Sequence, residues 1–259
     1  MDNFDFRESD KTFESKKILV HGARPNIRLV TTDKRLIYAD HLDNLGSDLL
    51  IFASKHKSES GMPSLLVHCT ANWNDKAEFG GNPRELGKSS GSAMKIALIE
   101  LFKQKKDLKL NEFDVNIEVS HHGPTQLQTP LLFVELGSTI DDWKNKKGAL
   151  AVANAIMKVA KNKKIFKSYI GVGGPHYARK FAKLIADENK NFTVSHIIPK
   201  YMLDFINKEM VLQSIERSVE KVENFVLDWK GMNSSQKEKI ISIIDSIGYD
   251  YEKAKNYKH

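Results

Sequence analysis

The chain is poor in cysteine: among its 259 residues Cys69 is the only one. No intrachain disulfide and no cysteine-based zinc site can therefore form. Long apolar runs are missing as well, and no window approaches the ~18 apolar residues of a helical membrane span. The opening stretch "MDNFDFRESDK" is polar and acidic, the opposite of a secretory leader. There is no internal repeat, low-complexity tract or linker, no HExxH or other compact metal spacing, and no RNA-binding motif of the RRM, KH or OB type. These absences point to a cytoplasmic protein whose chemistry, if it has any, is assembled from distant residues.

What is present has the balance of a globular chain, with 41% hydrophobic and 28% charged residues. Lys and Arg number 40 against 33 Asp and Glu, a net charge of +7, and the pI is near 9.2. That excess permits an anionic partner such as RNA without establishing one, because lysine also serves solubility. The lysine runs 103–106, 144–147 and 161–164 lie at predicted helix ends. There they either answer the helix dipole or, if one face gathers them, hold phosphates.

Short β-branched or aliphatic runs bounded by Gly, Pro, Asn or Asp predict strands at 17–20, 27–31, 35–39, 48–54, 64–70, 113–120, 131–137, 168–174 and 192–198. A helix is predicted from Asn82 as N-cap, with Pro83 in its first position and Glu85 reaching back. Its clearer stripe covers 93–103, and Gly87 and Gly91 argue against continuity. Further helices are predicted at about 146–162 and 176–187, and beyond about 200 the pattern is helical and charged with no strand. The fold class expected is α/β: a mixed, mostly parallel sheet flanked by helices on both faces. Residues 1–200 form the catalytic region, as one unit or two closely packed lobes, and 201–259 form a helical segment packed on it.

Six of the nine histidines fall at or beside predicted strand ends: His56, His68, His121, His122, His176 and His196. His21, His41 and His259 read as structural or surface residues. In open α/β sheets ligands gather beyond the carboxyl ends of strands, where residues distant in sequence meet. Imidazole is also the group best suited to proton transfer near neutral pH and the commonest metal ligand. The pair in "EVSHHGPT" is the sharpest signal. Adjacent strand residues face opposite ways, so both rings serve one site only if the chain turns, and Gly123-Pro124 supplies a turn. In a regular strand Glu118, Ser120 and His122 would share one face.

The blocks "LIYADHLD", "SKHKSESGMPSLLVHCTANW", "EFGGNPREL", "VSHHGPTQLQTPLLFVELGST", "GVGGPHYARKF" and "SHIIPKY", spanning about 36–201, together resemble the archaeal- and plant-type D-aminoacyl-tRNA deacylases. The resemblance implies hydrolysis of the ester between a D-amino acid and tRNA, zinc as cofactor, a monomer, and a fold related to peptidyl-tRNA hydrolases and nucleoside phosphorylases. It implies catalytic roles for His121, His122, His176 and His56. As metal ligands it offers His68, His121, His122 and His176 with Glu118 and Glu135, either carboxylate serving directly or by orienting a histidine. A metal-free route, in which a histidine or the ribose 2′-hydroxyl assists water, stands beside it. Substrate or tRNA contacts fall to Ser58, Ser60, Asn72, Thr125, Gly173, Gly174, Tyr177 and His196. The glycines either cradle a phosphate or only make a sharp turn, Tyr177 stacks on a base or packs, and the loop around Ser58 and Ser60 grips substrate or is plain surface. Cys69, inside an apolar strand, reads as packing. The sequence departs from the family twice: 1–17 shows no strand–helix block with an Asp-Pro-Ala-like segment, and Ala71 stands where Gly is common. Two other readings stay open, a metal-dependent hydrolase of a small ester or peptide and a non-catalytic tRNA-binding protein.

Overall fold

The structure is a computed structural model that describes residues 4–257. β1 (Phe6–Phe13), β2 (Lys16–His21) and β3 (Arg24–Leu29) make an antiparallel three-stranded sheet. A mixed sheet follows, in which β4 (Leu50–Lys55), β9 (Leu131–Gly137), β5 (Ser64–His68) and β8 (Asp114–Ile117) are neighbours in that order. The outer pairs are parallel, but β5 and β9 run antiparallel, with His68 opposite Phe133 and Leu66 opposite Glu135. A second sheet is wholly parallel, in the order β11 (Thr193–Ile198), β10 (Ser168–Val172), β12 (Val222–Leu227), β13 (Tyr251–Lys253). A two-stranded ribbon of β6 (Ala71–Asn72) and β7 (Glu85–Leu86) completes the sheets.

Period-2 alternation sorts the mixed sheet into two faces. Leu65, Val67, Val115, Ile117, Leu132, Val134 and Leu136 join one core cluster with α1 (Gly91–Asp107) and α3 (Lys146–Ala160). The residues between them, His68, Phe133 and Glu135, face the other way. α4 (Arg179–Ile185) and α1 cover one side of the second sheet, while α5 (Lys208–Glu216) and α6 (Ser234–Ser246) pack on the other. The short α2 (Ile140–Trp143) lies against β9. Only the second sheet is thus helix-covered on both faces as expected. The free face of the mixed sheet, turned away from α1 and α3, packs Phe52 and Phe133 under Ala39 and Leu42 and carries His68 and Glu135 beside them. Just past β8 the chain bonds to the second sheet through Val119 N to His176 O and Ser120 N to Ile197 O, which joins the two sheets beside the histidine pair.

Three expectations need correction. The run 35–39 is a 3₁₀ turn, Leu36–Tyr38, leading to Ala39 and Leu42 buried against Phe52 and Phe133; short apolar runs do not reveal their period. No helix starts at Asn82. Glu85–Leu86 pairs as strand, and α1 begins after Ser90, whose hydroxyl accepts from Ala93 N. The Glu220 carboxylate, distant in sequence, takes the Gly91 and Ser92 amides and fixes that start. Residues 201–257 do hold α5 and α6, but also β12 and β13, which complete the second sheet. In "VENFVL" the apolar alternation is short, and pairing with β10 decides its conformation. β1 was likewise not anticipated from its polar sequence, FRESDKTF.

Lys95 is fully buried in α1, and its ammonium donates to Ile185 O (2.8 Å) and Asp187 O (2.7 Å), capping the end of α4. Burial lowers its pKa to about 8, against the opposing charge of Asp187. The folded value lies below the ordinary 10.5, so between those pH values the unfolded chain binds more protons and stability rises with pH. Relative to Lys95→Met, the wild type should gain on the order of 2 kcal/mol between pH 8 and 10.5. Parallel denaturant melts of the two proteins check it, and equal pH slopes would remove the buried charge from the account.

Candidate active site

Five imidazoles and two carboxylates meet on the free face of the mixed sheet, at its junction with the second. β9 supplies Glu135 and β5 supplies His68, whose ring stacks on Phe133 at 5.0 Å. His56 follows β4 and is held by Trp143, which donates to its carbonyl at 2.7 Å. Glu118 follows β8, and His176 comes from the loop after β10. His56 Nδ1 lies 3.3 Å from Glu135 Oε2 and 3.6 Å from Glu118 Oε1, and His68 Nε2 lies 3.7 and 3.9 Å from the same two carboxylates. His176 Nε2 is 3.0 Å from Glu118 Oε1, though not aligned as a hydrogen bond.

The chain turns at His122 itself, whose φ of 46° lies in the left-handed region. That turn brings both rings of the pair to one side, with His121 and His122 centroids 4.4 Å apart and 4.3 and 4.9 Å from His68. Gly123 permits it by close approach, since a Cβ there would lie 2.3 Å from Gly80 C and Gly81 N. Three rings then have one nitrogen committed to a carbonyl: His68 Nδ1 to Cys69 O, His121 Nδ1 to Val119 O, and His122 Nδ1 to Gly123 O. A carbonyl only accepts, so Nδ1 carries the proton in each ring. In the neutral imidazole, Nε2 then offers a lone pair.

Charge is divided sharply across the cluster. Burial drives His121 well below its ordinary pKa, helped by the neighbouring His68, His122 and His176. Burial likewise takes His122 down to about 3, with His68 adding. Burial also disfavours charge on His56 and His68, but the Glu135 hydrogen bonds and the charges of both carboxylates outweigh it, and both rings end above their usual value. For Glu135 burial is again the largest influence, and His56 and His68 overcome it to hold the carboxyl well below its normal range. Burial pushes the Tyr201 phenol up to about 12, with Glu118 adding, so it keeps its proton. The result is a floor on which Glu135 stays ionised, beneath two neutral, partly exposed imidazoles. Such a set can accept a proton from water, return one to a leaving group, or hold a cation.

A model of the D-aminoacyl-tRNA deacylase family matches residues 44–252. The chain is 34% identical to the D-aminoacyl-tRNA deacylase of Pyrococcus furiosus, covering 98% of this chain and 92% of the relative. It is 38% identical to the one from Methanosarcina barkeri, over 85% and 72%. This chain belongs to the D-aminoacyl-tRNA deacylase family. A crystal structure of a conserved protein of unknown function superposes with a TM-score of 0.88 at 30% identity, covering all of this chain and 89% of that one.

In this family member the expected residues divide into two groups. His56, His68, His121, His122, His176, Glu118 and Glu135 all converge, and Tyr177 joins them with its hydroxyl 2.9 Å from His56 Nε2. All but Glu135 sit at or past the carboxyl end of a strand, yet they meet across a sheet face and not along one edge. The antiparallel β5–β9 pairing points strand ends in opposite directions, so no single edge collects them. Ser58 and Ser60 bond to each other on the loop after His56.

The other expected contacts lie apart from this cluster and spend polar groups within the protein. His196 is buried, its Nδ1 beside Cys69 Sγ and Ser120 Oγ, and burial lowers its pKa to about 3. Ser120 points with it into the core, because the strand is irregular beyond Ile117. Asn72 donates to Gly80 O and Asn82 O, and Thr125 donates to Glu85 and accepts from Asn82 N; both are buried and pin the loop over Gly123. Gly173 and Gly174, at φ of 92° and 90°, make the sharp turn. The protein's own Asp228 carboxylate, paired with Lys180, lies against that turn where a phosphate was considered. Cys69 is buried packing, its thiol pushed up to about 11 by burial. His41 pairs with Glu14 at 3.0 Å and His21 is buried, both structural as expected, while His259 lies outside the described residues. Lysines 161–164 follow α3 at the amino-terminal end of β10, whereas His176 lies past its carboxyl end. Run 144–147 spans the join of two helices: Lys144 caps the end of α2 as expected, while Lys146 and Lys147 open α3, where the dipole does not favour them.

Sequence reasoning missed Phe133, the stacking floor for His68, and Tyr201, whose hydroxyl is 3.2 Å from His176 Nδ1. The "PKY" after β11 offered a signal for Tyr201 only through its place beside the glycine loop, where Lys200 N bonds Gly174 O.

Proposed function

We propose that this protein hydrolyses the ester of D-aminoacyl-tRNA, releasing the free D-amino acid and tRNA. One observation carries the chemistry: three histidines with carbonyl-fixed tautomers turn their remaining nitrogens toward each other above two buried carboxylates. His121 and His122, held neutral, accept a proton from the attacking water. As the acyl–oxygen bond breaks, the same imidazole gives that proton to the ribose oxygen, while His176, half-exposed between Glu118 and Tyr201, flanks the transfer. Glu135 lies against His56 and His68 beneath and orients both rings.

The same residues fit a zinc ion. Its preferred donors are imidazole nitrogens and carboxylate oxygens, and His68 Nε2 with both Glu118 oxygens is buried without a hydrogen-bond partner among the described residues. One donor atom from each of His68, His121 and His122 lies within 4.8 Å of the others, as does one from each of Glu118, His121 and His176. When bound there, zinc supplies Lewis acidity and lowers the pKa of water.

Incubation with D- and L-tyrosyl-tRNA is the direct test. Release of D-tyrosine with the L-form left intact is expected, and tRNA binding without turnover would sink the enzymatic reading. Metal analysis followed by chelation separates the two chemical routes. Activity should fall at least ~100-fold on chelation and return with zinc; undiminished turnover would leave the imidazoles acting alone.

A further inference from the structure

We propose that Tyr201 is a positioning residue for His176, as Tyr177 is for His56, the two phenols closing the ends of one chain of polar contacts that crosses the site through Glu118. The assignment of a turnover role to that chain rests on the deacylase reading above.

The contacts form an unbroken series. Tyr177 Oη lies 2.9 Å from His56 Nε2, His56 Nδ1 lies 3.6 Å from Glu118 Oε1, and the same oxygen lies 3.0 Å from His176 Nε2. His176 Nδ1 then lies 3.2 Å from Tyr201 Oη. In both imidazoles the inner nitrogen faces carboxylate and the outer one faces phenol. A carboxylate attracts the N–H side of a ring even where, as at His176, the contact is not aligned as a hydrogen bond, so the inner nitrogen carries the proton. The outer nitrogen is then free to accept the phenol hydrogen, and one tautomer is selected in each ring.

His176 needs this more than His56 does. His56 is enclosed, with Trp143 on its carbonyl and Glu135 as a second carboxylate. The His176 side chain is 39% exposed and touches one carboxylate that is not aligned as a hydrogen bond. His121 and Tyr177 pack on its ring, but among the described residues the phenol is the aligned hydrogen-bond partner that distinguishes its two nitrogens. Tyr201 is itself well placed to resist displacement. It stands on the 3₁₀ turn Lys200–Met202 after β11, tied by Lys200 N to Gly174 O, Met202 N to Pro199 O, and Gln236 Nε2 to Lys200 O. The turn follows β11 of the second sheet while Glu118 follows β8 of the mixed sheet, so the pair of contacts also fixes how far His176 stands from the carboxylate floor.

Tyr201→Phe removes only the hydroxyl. Loss of an orienting partner costs roughly 10–100-fold, so kcat should fall about 10-fold or more with KM unchanged. In spectra of the ¹⁵N-histidine-labelled protein, His176 should change from one tautomer to a mixture. Tyr201→Leu, which also removes the ring, should show the same kcat loss. An unchanged His176 tautomer in Tyr201→Phe overturns the proposal, and so does a variant that raises KM alone, which would make the phenol a substrate contact. Should the wild type not hydrolyse D-aminoacyl-tRNA, the substrate reading fails by itself, and the tautomer spectra still decide the role of Tyr201.

Discussion

His121→Ala and His122→Ala should each lower D-tyrosyl-tRNA hydrolysis by about 10²–10⁴-fold, the range for loss of a positioned acid–base group, with tRNA affinity nearly intact. Both rings are only partly buried, and each anchors itself through a carbonyl of its own segment, so neither holds distant elements together. Their loss therefore removes chemistry more than structure. His122 allows a finer control, because its φ of 46° is costly for any residue with a Cβ. His122→Gly should relieve that strain, roughly 1 kcal/mol, and be at least as stable as His122→Ala while remaining equally inactive. Single-turnover assays with tRNA binding measured alongside would decide. Full activity in either alanine variant takes that residue out of the mechanism.

Glu118→Gln should separate activity from stability. The side chain is buried, and among the described residues neither carboxylate oxygen has an aligned hydrogen-bond donor, a costly arrangement that packing alone does not require. Glutamine keeps the shape and removes the charge. Folding stability should stay within about 1 kcal/mol of wild type, since neither oxygen gives up an aligned hydrogen bond and the amide still faces the three imidazoles. Activity should fall at least ~100-fold, because Glu118 Oε1 is the one atom shared by His56 and His176. A large drop in Tm with turnover preserved would make Glu118 a structural residue and dissolve the polar chain built on it.

The candidate site was more legible in the sequence than the topology around it. His56, His68, His121, His122 and His176 were readable because polar imidazoles interrupt or end apolar strands, and the alternation of Val, Ile and Leu in 64–68 and 131–137 fixed which residues share the helix-packed face. The errors have a common cause. Leu36–Tyr38 and Val222–Leu227 are short apolar segments, one a 3₁₀ turn and one a strand, and their conformation follows from the partner they pack or pair with. Asn72, Thr125 and His196 carry the same polar groups as site residues, but each spends them on neighbours that lie close only in the folded chain.

The order of residues determined the chemical inventory: imidazoles and carboxylates, no thiol chemistry, and a Gly-Pro break directly after a histidine pair. Tertiary structure decided where that inventory acts. Antiparallel pairing of β5 with β9 moved the meeting point from a sheet edge to a sheet face, the left-handed turn at His122 set both rings on one side, and the second sheet brought Tyr201 to His176. Strand direction and cross-sheet contact are relations between segments far apart in sequence. Local side-chain patterning carries no record of them, because the hydrogen bonds that fix them form only when the segments meet.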